Sequence, residues 1–261
     1  EAAKQGAGIA IIPMALSGAT SAATLAGTLV THNAEVLSAL VLAQLTAKGA
    51  RCVYCSVSTI MDLKLMVGAV GAPEQGLISV GAAKLAEYYR LPSWIGGGVS
   101  DSKIPDAQAA YEFTLNALTG ALSGANIVYG AGVLESGLTQ DYAKLVMDIE
   151  TIKYIKRILG GVEINDETLA LDIIHQVGPG GEFLTHEHTF HHMREQSQPI
   201  LFNRKSRDAW IMNGGKDLTE RAYEEALYII EHHKAKSLSN GAIETMKNII
   251  KDYEEELGLK K

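Results

Sequence analysis

Charge is scarce at the start of this 261-residue chain: 16 of the 135 residues from Glu1 to Glu135 are Asp, Glu, Lys or Arg. Basic residues are the minority sign, with 23 Lys and Arg against 30 Asp and Glu and a net charge of −7. That balance argues against a nucleic-acid partner, which favours a basic surface. No uninterrupted apolar run approaches the roughly 20 residues of a membrane span, and no positive-apolar-small leader opens the chain. The expectation is a cytoplasmic protein without a membrane partner. The first residue is Glu1 rather than Met, which suggests a chain cut from something longer. Cysteine is limited to Cys52 and Cys55, a C-x-x-C without a second pair to complete a zinc site. On a strand, residues three apart face opposite sides, so two core thiols in a reducing compartment are expected. No G-x-G-x-x-G is present, because Glu135 stands where the third glycine after Tyr129 belongs.

What the chain does have is one pattern repeated four times: a short apolar run, a small or polar break, then a long amphipathic segment. The breaks begin at Ser17, Ser56, Gly96 and Gly130. Candidate strands are residues 9–16, 51–57, 92–95 and 125–129, apolar throughout as buried parallel strands are. Helices are expected from Leu25 through Leu45, stopped by Gly49, and over 73–89, 106–122 and 139–159. Four successive β-α units leave a doubly wound sheet or part of a (β/α)8 barrel. Either would place the breaks at the C-terminal ends of strands, where ligands collect. Composition then changes, with 17 charges in the 45 residues from Asp217 to Lys261. An Asp217-x-x-Glu220 capping box and Ser239 as an N-cap predict helices there. Leu227, Ile230, Met246, Ile249, Ile250 and Tyr253 form their apolar stripes. The division expected is 1–162 for the β-α units and 163–261 for a mainly helical region.

Several phrases carry a resemblance: Leu91-Pro92-Ser93-Trp94-Ile95-Gly96-Gly97-Gly98-Val99-Ser100-Asp101-Ser102-Lys103 through Gln108, Thr24 to Val30 with Asn33-Ala34-Glu35, and Gly178-Pro179-Gly180-Gly181 with His188-Thr189. Together they resemble the trimethylamine methyltransferase (MttB) superfamily. The resemblance implies the C-terminal half of a TIM (β/α)8 barrel, strands five to eight, followed by a helical tail. It implies methyl transfer from a methylated amine to the cobalt of a separate corrinoid (cobalamin) protein, with no tightly bound cofactor in this chain. Four strands cannot close an eight-stranded barrel, so the missing N-terminal half or another copy in a homo-oligomer is expected to cover the open edge and face. Trimethylamine-specific members carry pyrrolysine in the glycine-rich motif, and the matching position here is Val99. The resemblance therefore implies a member acting on a quaternary amine such as glycine betaine. Its charged nitrogen is a leaving group without further activation.

A quaternary ammonium is held by aromatic faces and carboxylates. Tyr54, Trp94 and Tyr129 near strand ends, and Glu135 in the fourth loop, are the candidates. Gly97 and Gly98 would let a ligand or corrin ring approach the backbone. Asp101 and Lys103 read as a polar wall with a counter-ion for a substrate carboxylate, or as helix entry and a local ion pair. The cluster His186 to His192 puts His188 and His192 on one helical face, with His188 a candidate for binding a substrate carboxylate. It does not match H-E-x-x-H, and no metal is expected. Two other functions stay open: a non-catalytic barrel fragment or assembly subunit acting through its edge, and a metal-dependent hydrolase built on the histidines.

Overall fold

A computed structural model describes residues 1–259. Strands β1 (Ile9–Ile11) and β2 (Leu16–Ser17) precede helix α1 (Leu25–Thr46). Strands β3 (Cys52–Ser56), β4 (Thr59–Asp62) and β5 (Val67–Ala69) precede α2 (Pro73–Tyr88). Then β6 (Ser93–Gly96) leads to α3 (Ala107–Leu122), and β7 (Ile127–Tyr129), β8 (Val133–Leu134) and β9 (Thr139–Gln140) lead to α4 (Tyr142–Leu159). The four expected strands form one parallel sheet in the order β1-β3-β6-β7. The fold is α/β with an open sheet, and among the described residues no barrel closes.

Local chemistry explains the boundaries. Side-chain oxygens of Thr24, Asp106 and Asp141 accept from the first-turn amides of α1, α3 and α4, while Pro73 opens α2 with a ring that needs no amide partner. The expected strand 9–16 breaks into two at Pro13, which lacks an N–H for a ladder. Its second piece, β2, pairs with β4, which pairs in turn with β5. That three-stranded sheet was not expected, nor was the β8–β9 pair that delays α4 to Tyr142.

Sheet alternation assigns two faces. Ile11, Cys52, Tyr54 and Ile95 lie on one, packed with Val36 and Ala43 of α1 and Ala82, Ala83 and Ala86 of α2. Each large apolar side chain buried there contributes about 1.5–3 kcal/mol. By register the other face carries Val53, Cys55, Trp94, Gly96, Ile127 and Tyr129. Cys52 and Cys55 are thus on opposite faces, both free and buried, and burial raises the Cys55 thiol to about 11. Helix α1, with 22 residues, is by length and composition apolar enough to cross a membrane, although Thr31, His32, Asn33 and Glu35 interrupt its apolar run. Here it packs on β1 and β3 as a crossover helix, with His32 and Val36 fully buried.

The remaining helices are α5 (Asp166–Leu169), α6 (Leu171–Val177), α7 (Glu187–His192), α8 (Arg207–Met212), α9 (Leu218–His232) and α10 (Asn240–Glu256). The Asp217–Glu220 capping box forms reciprocally, and Ser239 caps α10. Two compact units divide at Ala226 and Leu227. The stripes expected to pack are exposed instead: Leu227, Ile230, Met246, Ile249, Ile250 and Tyr253 all face solvent.

Candidate functional site

The loops after β6 and β7 interlock at the sheet's C-terminal edge. Ser100 N–H donates to Val133 O, Glu135 N–H to Ser102 O at 2.9 Å, and Ser136 N–H to Ser100 O at 3.0 Å. Gly97 and Gly98 amides both donate to Tyr129 O. A Cβ on Gly98 would lie 2.7 Å from Gly130 C, and one on Gly97 would lie 2.7 Å from Val128 Cγ1. These two glycines therefore admit neighbouring protein, which corrects the expectation that their open sides admit a ligand. Val99 between this pair and Ser100 is buried.

Asp101 ties three segments together. Its carboxylate accepts from Val70 N–H (3.1 Å), Gly71 N–H (2.9 Å) and Ser136 Oγ–H (2.7 Å). Its own amide donates to Glu112 Oε2 at 2.8 Å, and Ser100 Oγ–H donates to the same oxygen at 2.6 Å. The carboxylate is thus filled by protein donors and acts as a strut. Lys103 is exposed and its ammonium donates to the Asp101 carbonyl rather than to a carboxylate. Neither side chain forms the expected pocket wall. Glu112 was missed by sequence reading, although an isolated acid on an otherwise apolar helix is a visible signal.

Glu135 and Ser136 have φ of 51° and 57°, two consecutive non-glycine residues in the left-handed region. Such backbone costs of order 1–3 kcal/mol per residue and persists where the surroundings impose it. Thr139 Oγ–H donates to Glu135 Oε2 at 2.8 Å, and the side chain is half-buried. Behind the loop, Gly132 N–H donates to Asp148 Oδ2 at 2.7 Å. Asp148 pairs with fully buried Lys144 at 2.5 Å, and the ammonium sits 4.8 Å from the Phe113 ring centroid. Burial pushes the Asp148 carboxyl up to about 6, against the opposing pull of Lys144 and the Gly132 amide.

Trp94 and Tyr129 meet edge to face, 5.6 Å between centroids, on the sheet face away from the α1 and α2 packing. Both are half-buried, and the indole N–H has no partner among the described residues. Burial raises the Tyr129 hydroxyl above its usual range. Tyr54 corrects its expectation, because it is fully buried on the helix face, donates to Asn33 Oδ1 and stacks near Tyr89. Below the edge lies a buried polar cluster that sequence reading missed. Ser17 and Thr28 hydroxyls are 2.5 Å apart, and His32 Nδ1 is 3.1 Å from Ser58 Oγ. Desolvation lowers the His32 imidazole to about 4.

His188 lies elsewhere. Its ring packs on His192, 4.3 Å between centroids, and among the described residues no hydrogen bond joins it to the strand-edge loops. His192 is held between Glu195 and Glu167, each 2.7 Å away, and both carboxylates raise the imidazole above its usual range. His186 caps α7, accepting from His188 N–H.

The structure therefore brings Val99, Asp101 and Glu135 to one loop cluster, and pairs Trp94 with Tyr129 on the adjoining sheet. The family model described as "Trimethylamine methyltransferase (MTTB)" matches residues 1–258. The chain is 52% identical over 259 residues to trimethylamine methyltransferase MttB of Desulfitobacterium hafniense (strain DSM 10664 / DCB-2), covering 99% of this chain and 52% of that one. It is 43% identical over 244 residues to the Methanosarcina thermophila MttB, covering 94% and 50%. Glycine betaine methyltransferase of Desulfitobacterium hafniense (strain Y51) is 38% identical over 210 residues, covering 80% and 44%. The chain spans about half the length of the curated relatives it matches. By the extent of these matches the chain belongs to the trimethylamine methyltransferase (MTTB) family.

Proposed function

We propose that this chain carries part of the active site of a methyltransferase that moves a methyl group from a quaternary amine of the glycine betaine type to the cobalt of a corrinoid protein. Val99 carries the choice of substrate. A buried aliphatic residue at the motif position matching pyrrolysine offers no electrophile to capture a neutral tertiary amine. A quaternary ammonium needs none, because its nitrogen leaves as a neutral amine when carbon is displaced. The acceptor cobalt, on the partner, supplies the nucleophile, and this chain's residues bind, orient and exclude water.

The half-buried Trp94–Tyr129 pair offers aromatic surface to the cation, each such contact contributing about 0.5–2 kcal/mol. Glu135, aimed by a strained turn, supplies the compensating charge, while Asp101 and the Lys144–Asp148 pair hold that turn in place. The four parallel strands supply the second half of a barrel, and another polypeptide or a further copy of the chain completes the pocket.

Relatives named for trimethylamine share more identity than the one named for glycine betaine, so substrate choice is the point to test. The complete enzyme, assembled with its corrinoid partner, is supplied with glycine betaine, carnitine or trimethylamine, and demethylated product is followed. Transfer from a quaternary amine and none from trimethylamine is expected. Glu135→Gln should lower kcat/KM by about 10- to 100-fold, the equivalent of about 1.4–2.7 kcal/mol of transition-state stabilisation. Transfer from trimethylamine alone would overturn the substrate reading; no transfer from any amine would favour a non-catalytic assembly subunit.

A further inference from the structure

Between Lys156 and Ile200 no residue is buried, although the segment folds into three short helices, α5, α6 and α7. A segment with so little core ordinarily needs another fastening. One group of side chains is placed to supply it. Single ligand atoms of Glu167, His188 and His192 all lie within 4.8 Å of one another. His188 and His192 come from successive turns of α7, and Glu167 comes from α5. They line a surface pocket of about 630 Å³ with Glu163 and Glu195.

Three features separate this group from an ordinary ion pair. The Nε2 atom of His188 is buried without a partner among the described residues, a cost the fold carries for no internal return. His192 Nδ1 is 2.7 Å from Glu195 Oε1, an outer carboxylate that sets the tautomer and leaves Nε2 for a ligand. The set is two imidazoles and one carboxylate, a combination suited to zinc-class divalent cations with a further position for water.

We infer that Glu167, His188 and His192 bind a zinc-class divalent cation that pins α5 to α7. Ligand atoms around a four-coordinate zinc are about 3.3 Å apart, given bonds of about 2.0 Å. The Glu167–His192 contact would therefore open slightly from 2.7 Å as the cation takes its place. The site makes no hydrogen bond with the strand-edge loops among the described residues, and the inference is independent of the methyl-transfer reading.

The test strips the chain with a chelator and titrates Zn²⁺ against a chromophoric competitor, following far-UV circular dichroism and thermal melting in parallel. One Zn²⁺ per chain is expected, with a higher melting temperature, and Co²⁺ in its place should show the visible absorption of a four-coordinate ion. His188→Ala and His192→Ala should each weaken binding by about 100-fold or more, and Glu195→Gln by about 10- to 100-fold. His191→Ala should bind as the parent does, because His191 is exposed and faces Glu187. If a variant melts early, the absence of Zn²⁺-dependent stabilisation in it, with stabilisation kept in His191→Ala, still supports the site. The inference is overturned if the parent binds Zn²⁺ no more tightly than the His188→Ala/His192→Ala double variant, or if His191→Ala loses as much affinity as His188→Ala.

Discussion

His32 is fully buried on α1 against Tyr54, with ring centroids 5.4 Å apart, and its pKa falls from an ordinary 6.5 to about 4. The native state therefore binds fewer protons here than the unfolded chain does between those two values. Its contribution is complete above pH 6.5 and is lost as pH falls toward 4, amounting to about 3 kcal/mol across that window. Urea midpoints at pH 7.5 and 4.5 should thus differ more for the parent than for His32→Gln. An equal pH dependence in both would show that His32 is not the group responsible. At the same scale, Glu135 holds a positive φ without being glycine, which marks it more sharply than its residue type does.

Among the elements, α4 does more than cover the sheet. Lys144 and Asp148, one turn apart, are both buried and reach beneath the loop that carries Glu135. Removing one member of a buried ion pair typically costs about 3–5 kcal/mol, because the other is left unpaired. Lys144→Met should show a loss of that order in chemical denaturation. Lys144→Met/Asp148→Asn should recover part of it, since the Asn carbonyl can still accept from Gly132 N–H. The pH dependence has the opposite sign to that of His32. With the native carboxyl raised to about 6, the folded state binds more protons between 3.8 and 6, so this group's contribution is lost as pH rises through 6. The deficit of Lys144→Met should therefore be larger at pH 8 than at pH 5.

For the whole molecule, the sheet ends at β1 on one side and β7 on the other among the described residues, and Ile127, on the face away from α1 and α2, is exposed. Unpaired strand edges and an uncovered apolar face favour association. We expect light scattering to show self-association of the isolated chain, and, on the proposal that a second barrel half covers this sheet, that association should diminish when such a half is supplied. A stable monomer at high concentration, melting cooperatively by itself, would contradict that expectation.

The sequence by itself determined the β-α rhythm, the parallel sheet, the Asp217–Glu220 and Ser239 helix caps and the strand-edge loops. Those features follow from local patterns: apolar runs, helical spacing and Ser or Asp before a helix. Family membership was legible in the glycine-rich motif as well. Only the tertiary structure decided which face each side chain took. Tyr54 and Trp94 look alike as aromatics beside strand ends, yet register sends one under α1 and leaves the other on the opposite face of the sheet. Asp101 and Glu112, His32 and Ser58, and Glu167 and His192 are likewise distant in sequence and joined by hydrogen bonds or packing. Their roles depend on non-local contacts, and a period of two or 3.6 residues carries no information about partners across a fold.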